Sequence, residues 1–446
     1  MNNFGGSAYT KDGAYPPPHR SSSLPVHQNQ KVTKGVKAEG ESGRKGIHPL
    51  KFLRICFRSS CTLSKFVNLL WPFVPAAFAL KYATHKHPSP NQETWVFILS
   101  YIAMLPCANL LGFAGQEVGR KLPHALGVLM ETTFGSVVEI ILFMILVSRG
   151  ETFIPVIKAA ILGSILANLL LCLGLCFFAG GLRREEQDFH EAVSEVGSNL
   201  MLVAGMALIL PAVFSTALTG GARPIDVPKT VLRISRASAI ILLVAYLVYV
   251  WYQMRTHKGI YEHVLHGDEQ KDNDRVRDFY KAKLTMSEAI LALVISITFV
   301  TFMAVFLVDG IENIVHHHHI KDAFVGLILI PVVEKAAEHI TAVDEAWDDQ
   351  MNFALSHVLG SSIQTALFNT PLVMIVAWGL KVDLDLNFEI FDAVVLILAI
   401  LVVGNFLRDG KSNYLEGVLC VLVYVIIAIC AFYYPDPPKP EAAASH

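Results

Sequence analysis

The chain has 446 residues, is 53% hydrophobic and carries 17% charged residues, where an ordinary soluble domain has roughly 25%. Its net charge of −2 is unevenly placed: residues 1–65 hold eleven Lys/Arg against three Asp/Glu, leaving the arm at +8 and the remainder at −10. This composition points away from a soluble globular domain, and the basic arm lacks the interleaved aromatics or fold of a nucleic-acid binder.

Residues 1–47 are rich in Gly, Ser, Pro and charge, and read as disordered. No apolar stretch near the start makes them a secretory signal. A basic arm ahead of a membrane places the N-terminus in the cytosol, and with its juxtamembrane segment this arm covers 1–65. From there, runs of about 20 mostly apolar residues, the length of a membrane-spanning helix, recur at 66–83, 95–115, 122–148, 153–181, 193–215, 237–254, 285–309, 321–343, 351–380, 389–407 and 415–434. Pro72 and Pro75 interrupt the first. Eleven spans put the tail 435–446 opposite the arm. Arg120/Lys121, Arg183/Arg184 and Arg408/Lys411 then fall on the cytosolic side, as the positive-inside rule expects, whereas Arg223, Lys229, Arg233 and Arg236 fall on the other. Residues 255–284, with acids and bases nearly balanced, read as a polar cytosolic linker or a short surface helix.

Two spans carry carboxylates deep in apolar sequence. The third reads Glu131-Thr-Thr-Phe-Gly135-Ser136-Val-Val-Glu139, and the eighth Pro331-Val-Val-Glu334-Lys335-Ala-Ala-Glu338-His339. Leu162-Gly163-Ser164 follows Glu139 at 24 residues, and Leu359-Gly360-Ser361 follows Glu338 at 22. An offset of five spans reverses direction across the membrane. The expected fold is therefore an all-α polytopic membrane protein of about 11 transmembrane helices: one N-terminal helix, a five-helix repeat over 84–254, and an inverted five-helix repeat over 285–434. Such repeats hold substrate near the bilayer midplane at interrupted helices; Gly135, Gly163, Gly360 and Pro331 are the residues that permit interruption or close approach.

An ionised carboxylate in hydrocarbon costs roughly 2.5–3.5 kcal/mol even on permissive scales, so buried ones are functional by default. Hard cations such as Ca2+ take six to eight oxygen ligands. Glu139, Ser136, Ser164 and Asn168 offer oxygens from one half, and Glu338, Ser361, Ser362 and Gln364 from the other. Carboxylates in a low-dielectric cavity also bind protons near neutral pH. One set of groups can thus hold cation and proton alternately, which is the minimum an antiporter requires. The bland reading, helix-to-helix hydrogen bonding, suits Ser164, Ser362 and Asn168 better than the carboxylates.

The paired segments give the chain a family resemblance. It resembles the vacuolar-type cation/proton exchangers of the calcium/cation antiporter superfamily, whose hallmark is Gly-Asn-x-x-Glu in each half. Gly135-Ser-Val-Val-Glu139 and Glu334-Lys-Ala-Ala-Glu338 stand at those elements, with Leu162–Leu171, Gly360–Phe368, Ile234–Leu242, Phe306–Asp309 and Asp409–Gly417 as further matches over about 66–434. The resemblance implies Ca2+, with Mn2+ as a second cation, exchanged for H+ at a vacuolar or other endomembrane. It implies no cofactor and no partner beyond lipid, cations and protons. Departures fall at the elements themselves: Ser136 for Asn, Glu334-Lys335 for Gly-Asn, Ala167 for Ser, Glu131 for Asn, Gln116 and Val305 for Glu. Lys335, three residues before Glu338, either neutralises Glu338 or pairs with Glu334, leaving Glu338 free. Glu131, Glu334, Lys335 and His339 are accordingly read as proton-coupling or site-tuning residues. Two alternatives stand beside calcium exchange: a monovalent (Na+ or K+)/proton antiporter altered by Lys335, and a transport-inactive regulatory homologue.

Other candidates are weaker. The run His316–His319 lies in the loop after span 7, where it either concentrates soft divalent ions and senses lumenal pH or is a solvated loop. Of the seven cysteines, Cys172 and Cys176 at i,i+4 have metal-pair spacing, but packing is the simpler role. An intramembrane metalloprotease needs His-Glu-x-x-His, which is absent; the chain is not expected to be an enzyme.

Overall fold

A computed structural model describes residues 42–59, 61–83, 90–122, 130, 133–219, 226–271, 281–318 and 320–435. The arm up to 41, Glu131, linker residues 272–280 and the tail from 436 lie outside these. With no water to satisfy the backbone in lipid, the chain answers with helices. They are α1 (Pro49–Arg58), α2 (Thr62–Asn68), α3 (Phe73–Ala83), α4 (Pro90–Gly119), α5 (Val137–Ser148), α6 (Ile154–Leu166), α7 (Leu173–Gly181), α8 (Glu191–Thr219), α9 (Val227–Trp251), α10 (Lys258–Lys271), α11 (Met286–His317), α12 (Ile330–Trp347), α13 (Met351–Gln364), α14 (Thr370–Gly379), α15 (Ile390–Phe406) and α16 (Tyr414–Tyr433).

Helix α1 buries Phe52 and Ile55 and exposes Leu50, Leu53 and Phe57, the pattern of a helix lying along a membrane surface. Among the described residues, nine helices are long and apolar enough to cross a membrane, the first beginning at Thr62 rather than 66. The two expected spans outside that set are those that carry the paired carboxylates. Helix α5 has only 12 residues, because the chain turns at Ser136 just before it. Helix α12 is too rich in charge, with Glu334, Lys335, Glu338, Asp344 and Glu345.

Two long helices form the centre. In Glu151–Gly181, which contains α6 and α7, 83% of the apolar stretch is inside the protein, and in Met351–Gly379, which contains α13 and α14, 72%. For Val227–Thr256 and Tyr414–Tyr433 the shares are 22% and 28%, so these face lipid. Each central helix swells into a π turn, at Ala167–Cys172 and Thr365–Asn369, four residues after Gly163 and five after Gly360. A π turn inside an α-helix is rare and frequents functional sites; the same irregularity at matched places is what two copies of one unit produce. Their directions are opposed. Helix α13 starts where the linker helix docks: Asp268 of α10 accepts from the Asn352 backbone N at 2.7 Å and from its Nδ2 at 3.0 Å. Helix α7 ends on that same face, where Arg183 donates to the Trp347 carbonyl at 3.4 Å.

The linker is therefore seated rather than merely solvated. Burial pushes the Asp268 carboxyl above its ordinary range, against the pull of Asn352. The far end of the linker is fixed too, since the Leu284 backbone N donates to Glu117 Oε2 of α4 at 2.8 Å. Thr285 and Glu288 form a capping box that starts α11, and Arg44 donates to both Glu288 oxygens at 3.3 and 3.2 Å.

Candidate functional site

Residues from both halves meet beside the π turns. Glu139, on the first turn of α5, is fully buried. Thr365 Oγ1 lies 2.9 Å from each of its oxygens, and Asn369 Nδ2 donates to Oε2 at 2.8 Å. The Lys335 ammonium, itself fully buried, sits 2.7 Å from the same Oε2. Donors and a cation around one carboxylate make charge-assisted hydrogen bonds, which are stronger than neutral ones.

Lys335 also reaches the second carboxylate. Its Nζ is 3.6 Å from Glu338 Oε2 and donates to Ser361 Oγ at 3.0 Å, and Ser361 donates on to Glu338 at 2.6 Å. Asn168 Nδ2 donates to Ser361 Oγ at 3.2 Å, and His339 Nε2 lies 3.1 Å from Asn168 Oδ1. Lys335 thus pairs with Glu139 across the halves and, at the longer distance, with Glu338 on its own helix, and not with Glu334 beside it. Glu334 is 2% exposed, and neither of its oxygens has a hydrogen-bond partner. The Ser164 hydroxyl is likewise buried without a hydrogen-bond partner.

Glu338 can stand here because Gly135 has no side chain: a Cβ on Gly135 would lie 2.7 Å from Glu338 Oε1. Gly163 allows another close approach, its Cβ position being 2.3 Å from the Leu327 carbonyl oxygen. Gly360 does not share this role. A Cβ there would meet open space, and α13 runs through it unbroken; the only break at the expected positions is the turn at Ser136.

A cavity of about 60 Å³ opens onto this cluster, lined by Glu334, Glu338, Ser361, Gln364 and Gly135 and, on the walls nearer the linker, by Gln116, Thr341 and His357. At the ~10–15 Å³ that one water needs, it has room for an ion with a few waters. The wall residues lie toward the linker-side ends of α4, α12 and α13. On the opposite side α6 and the segment ahead of α12 pack closely, since Cβ atoms at Gly163 and Gly326 would strike Leu327, Ala159 and Val156.

Of the expected oxygen donors, Glu139, Glu338, Asn168 and Ser361 join one network, and Gln364 lines the cavity. Ser164 is buried with its hydroxyl unpartnered, and Ser136 is buried at the start of α5, three residues before Glu139. Ser362 departs from expectation, because its hydroxyl donates back to the Val358 carbonyl of its own helix at 2.8 Å. Thr365 and Asn369 were not anticipated. Carrying the Gly163-to-Gly360 offset five residues on, from Asn168 to Thr365, points to the first of them. Among the described residues no three His, Cys, Asp or Glu side chains form a metal-holding group, and Cys172 and Cys176 are free and buried. His318 meets Thr94 Oγ1 at 2.8 Å; the side chains of His316 and His319 lie outside the described residues.

A family model described as "Sodium/calcium exchanger protein" matches residues 93–255 and 288–433. Vacuolar cation/proton exchanger 5 of Arabidopsis thaliana is 34% identical, over 85% of this chain and 83% of its own length. The vacuolar calcium ion transporter of Schizosaccharomyces pombe is 33% identical, over 84% and 87%. The solved structure of native YfkE aligns with a TM-score of 0.66 at 24% identity, covering 82% of this chain and 99% of that one. A solved H+/Ca2+ exchanger, CAX, gives a TM-score of 0.56 at 14% identity, over 83% and 92%; these two likenesses concern the fold.

Proposed function

The chain belongs to the sodium/calcium exchanger protein family, and from that premise we propose that it is a secondary antiporter exchanging Ca2+, with Mn2+ as a second substrate, for protons across a vacuolar or related internal membrane. One observation carries this reading: carboxylates from opposite halves, Glu139 and Glu338, converge on a single positive charge, at 2.7 and 3.6 Å. Ionisable groups inside a membrane are rare, pair with one another and mark ion pathways. The relatives named as vacuolar cation/proton exchangers and calcium transporters support the ion and the membrane. The basic arm supports a cytosolic N-terminus, which makes the linker face cytosolic and the cavity inward-open.

Protons compete for the same oxygens. A protonated Glu338 holds no cation, and an ionised one in a closing cavity needs one. The imposed proton gradient then decides which occupant each face releases. The partner that occupies Glu139 here is an ammonium, and this favours one second reading, exchange of Na+ or K+ for protons.

Flux in reconstituted vesicles with an imposed pH gradient separates these. Ca2+ or Mn2+ uptake that disappears in Glu338→Gln is the expected result. Uptake of Na+ or K+ alone would establish the second reading. No flux of any of the four ions from a correctly inserted protein would leave a transport-inactive homologue.

A further inference from the structure

The three carboxylates at the site are not alike. Glu139 accepts from Thr365, Asn369 and Lys335, and neither it nor Lys335 lines the cavity. Its charge is cancelled and its oxygens are taken. Glu334 is the reverse: it lines the cavity, is buried at 2% exposure, and has no hydrogen-bond partner on either oxygen. Glu338 lines the same cavity one helical turn further along α12, holding Ser361 by one oxygen. Carboxylates at i and i+4 share one face of a helix and repel each other when both are ionised. A buried, unpartnered carboxyl costs more still. A cation between the two relieves both penalties.

Resting on the antiport reading, we propose that in this chain the transported cation is bound by Glu334 and Glu338, one turn apart on α12, and that Glu139 is the fixed anchor of Lys335. Oxygens to complete the shell stand close by. The Ser164 hydroxyl and Gln116 Oε1 are both buried without partners, and Gln364 lines the cavity. Charge selects the ion class. Lys335 sits closer to Glu139 than to Glu338, at 2.7 against 3.6 Å, and Glu334 and Glu338, when both are ionised, bring two negative charges to the cavity, which suits a hard divalent cation taking oxygen ligands better than Na+ or K+. The Glu334-Lys335 dipeptide is then one substitution with two halves: the lysine takes one carboxylate out of service and the glutamate supplies its replacement.

The test uses the full chain in detergent and in vesicles, with CaCl2, MnCl2, NaCl or KCl as the probe. Labelling of carboxyls by dicyclohexylcarbodiimide, mapped by peptide mass spectrometry, needs no variant. Ca2+ or Mn2+ is expected to protect Glu334 and Glu338, while Glu139 stays unlabelled with or without ion. Glu334→Gln is expected to raise the Kd for the divalent ion about tenfold or more, and Glu334→Asp to raise it less, since affinity follows ligand charge. Protection of Glu139 instead of Glu334, a Glu334→Gln Kd within about twofold of the parent, or failure of Ca2+ and Mn2+ to bind the parent overturns the assignment. Divalent binding without proton-driven flux would sink the antiport reading and leave the assignment standing. Proton-driven flux that survives intact in Glu334→Gln would do the opposite.

Discussion

Gly135 shows how much a missing side chain can decide. A Cβ at that position would stand 2.7 Å from the tip of Glu338, and a carboxyl at the end of a flexible side chain can swing away. Gly135→Ala is therefore expected to fold and insert with a thermal midpoint close to the parent's, yet to lose cation flux mainly through a raised KM; an unchanged KM would mean that Glu338 is not where the ion binds. The importance of Lys335 was legible from its type and place, but its partner was not. Spacing along one helix offers Glu338 at i+3, which the ammonium does reach at 3.6 Å, but it does not offer the nearer partner, Glu139, 196 residues away in sequence. Thr365 and Asn369 were hidden for a related reason. A π turn shifts the face that a helix presents, so side chains beyond it point where an unbroken 3.6-residue period does not send them.

At the level of helices, apolar run length found the nine that are long and apolar enough to cross a membrane among the described residues, while the two segments with the paired carboxylates fall short of that measure. It did not reveal how closely the elements pack. The π-turn segment Val325–Leu329 lies against α6 through Gly163 and Gly326, where added Cβ atoms would meet backbone or Cβ atoms at 2.3–2.6 Å. Backbone cannot swing aside as a side chain does. Gly163→Ala is thus expected to destabilise by at least the ~1–3 kcal/mol typical of overpacking, read as a lower thermal midpoint in detergent. Gly360→Ala, which faces open space, should leave the midpoint within about a degree, consistent with the small effect of substitutions away from packed features. Equal losses in the two variants would show that the glycines act through helix flexibility and not through contact. Sequence treats the two glycines as equivalents under the repeat; the packing separates them.

For the whole molecule, opposed directions of the two central helices follow from an odd number of spans, and that much was countable. Which side is open was not, because it depends on contacts between helices. The cavity walls include Thr341 and His357 toward the linker face, while the glycine contacts pack two elements tightly on the other. In sealed vesicles of known orientation, Thr341→Cys in a background without native cysteines is expected to react with a membrane-impermeant maleimide from the linker face and to be shielded by a bound divalent cation. Reaction from the opposite face would reverse the assigned opening.

The ion pair between Lys335 and Glu139 sets a limit on how such a molecule can move. It ties α12 to α5, and the hydrogen bonds from Thr365 and Asn369 tie both to the junction of α13 and α14. Removing one partner of a buried pair typically costs about 3–5 kcal/mol, so these pieces are expected to stay together through a transport cycle. As one body they would draw on both repeats. A hinge is then expected where neighbours are less firmly fastened, and the boundary between moving and stationary parts need not follow the boundary between the two halves of the sequence.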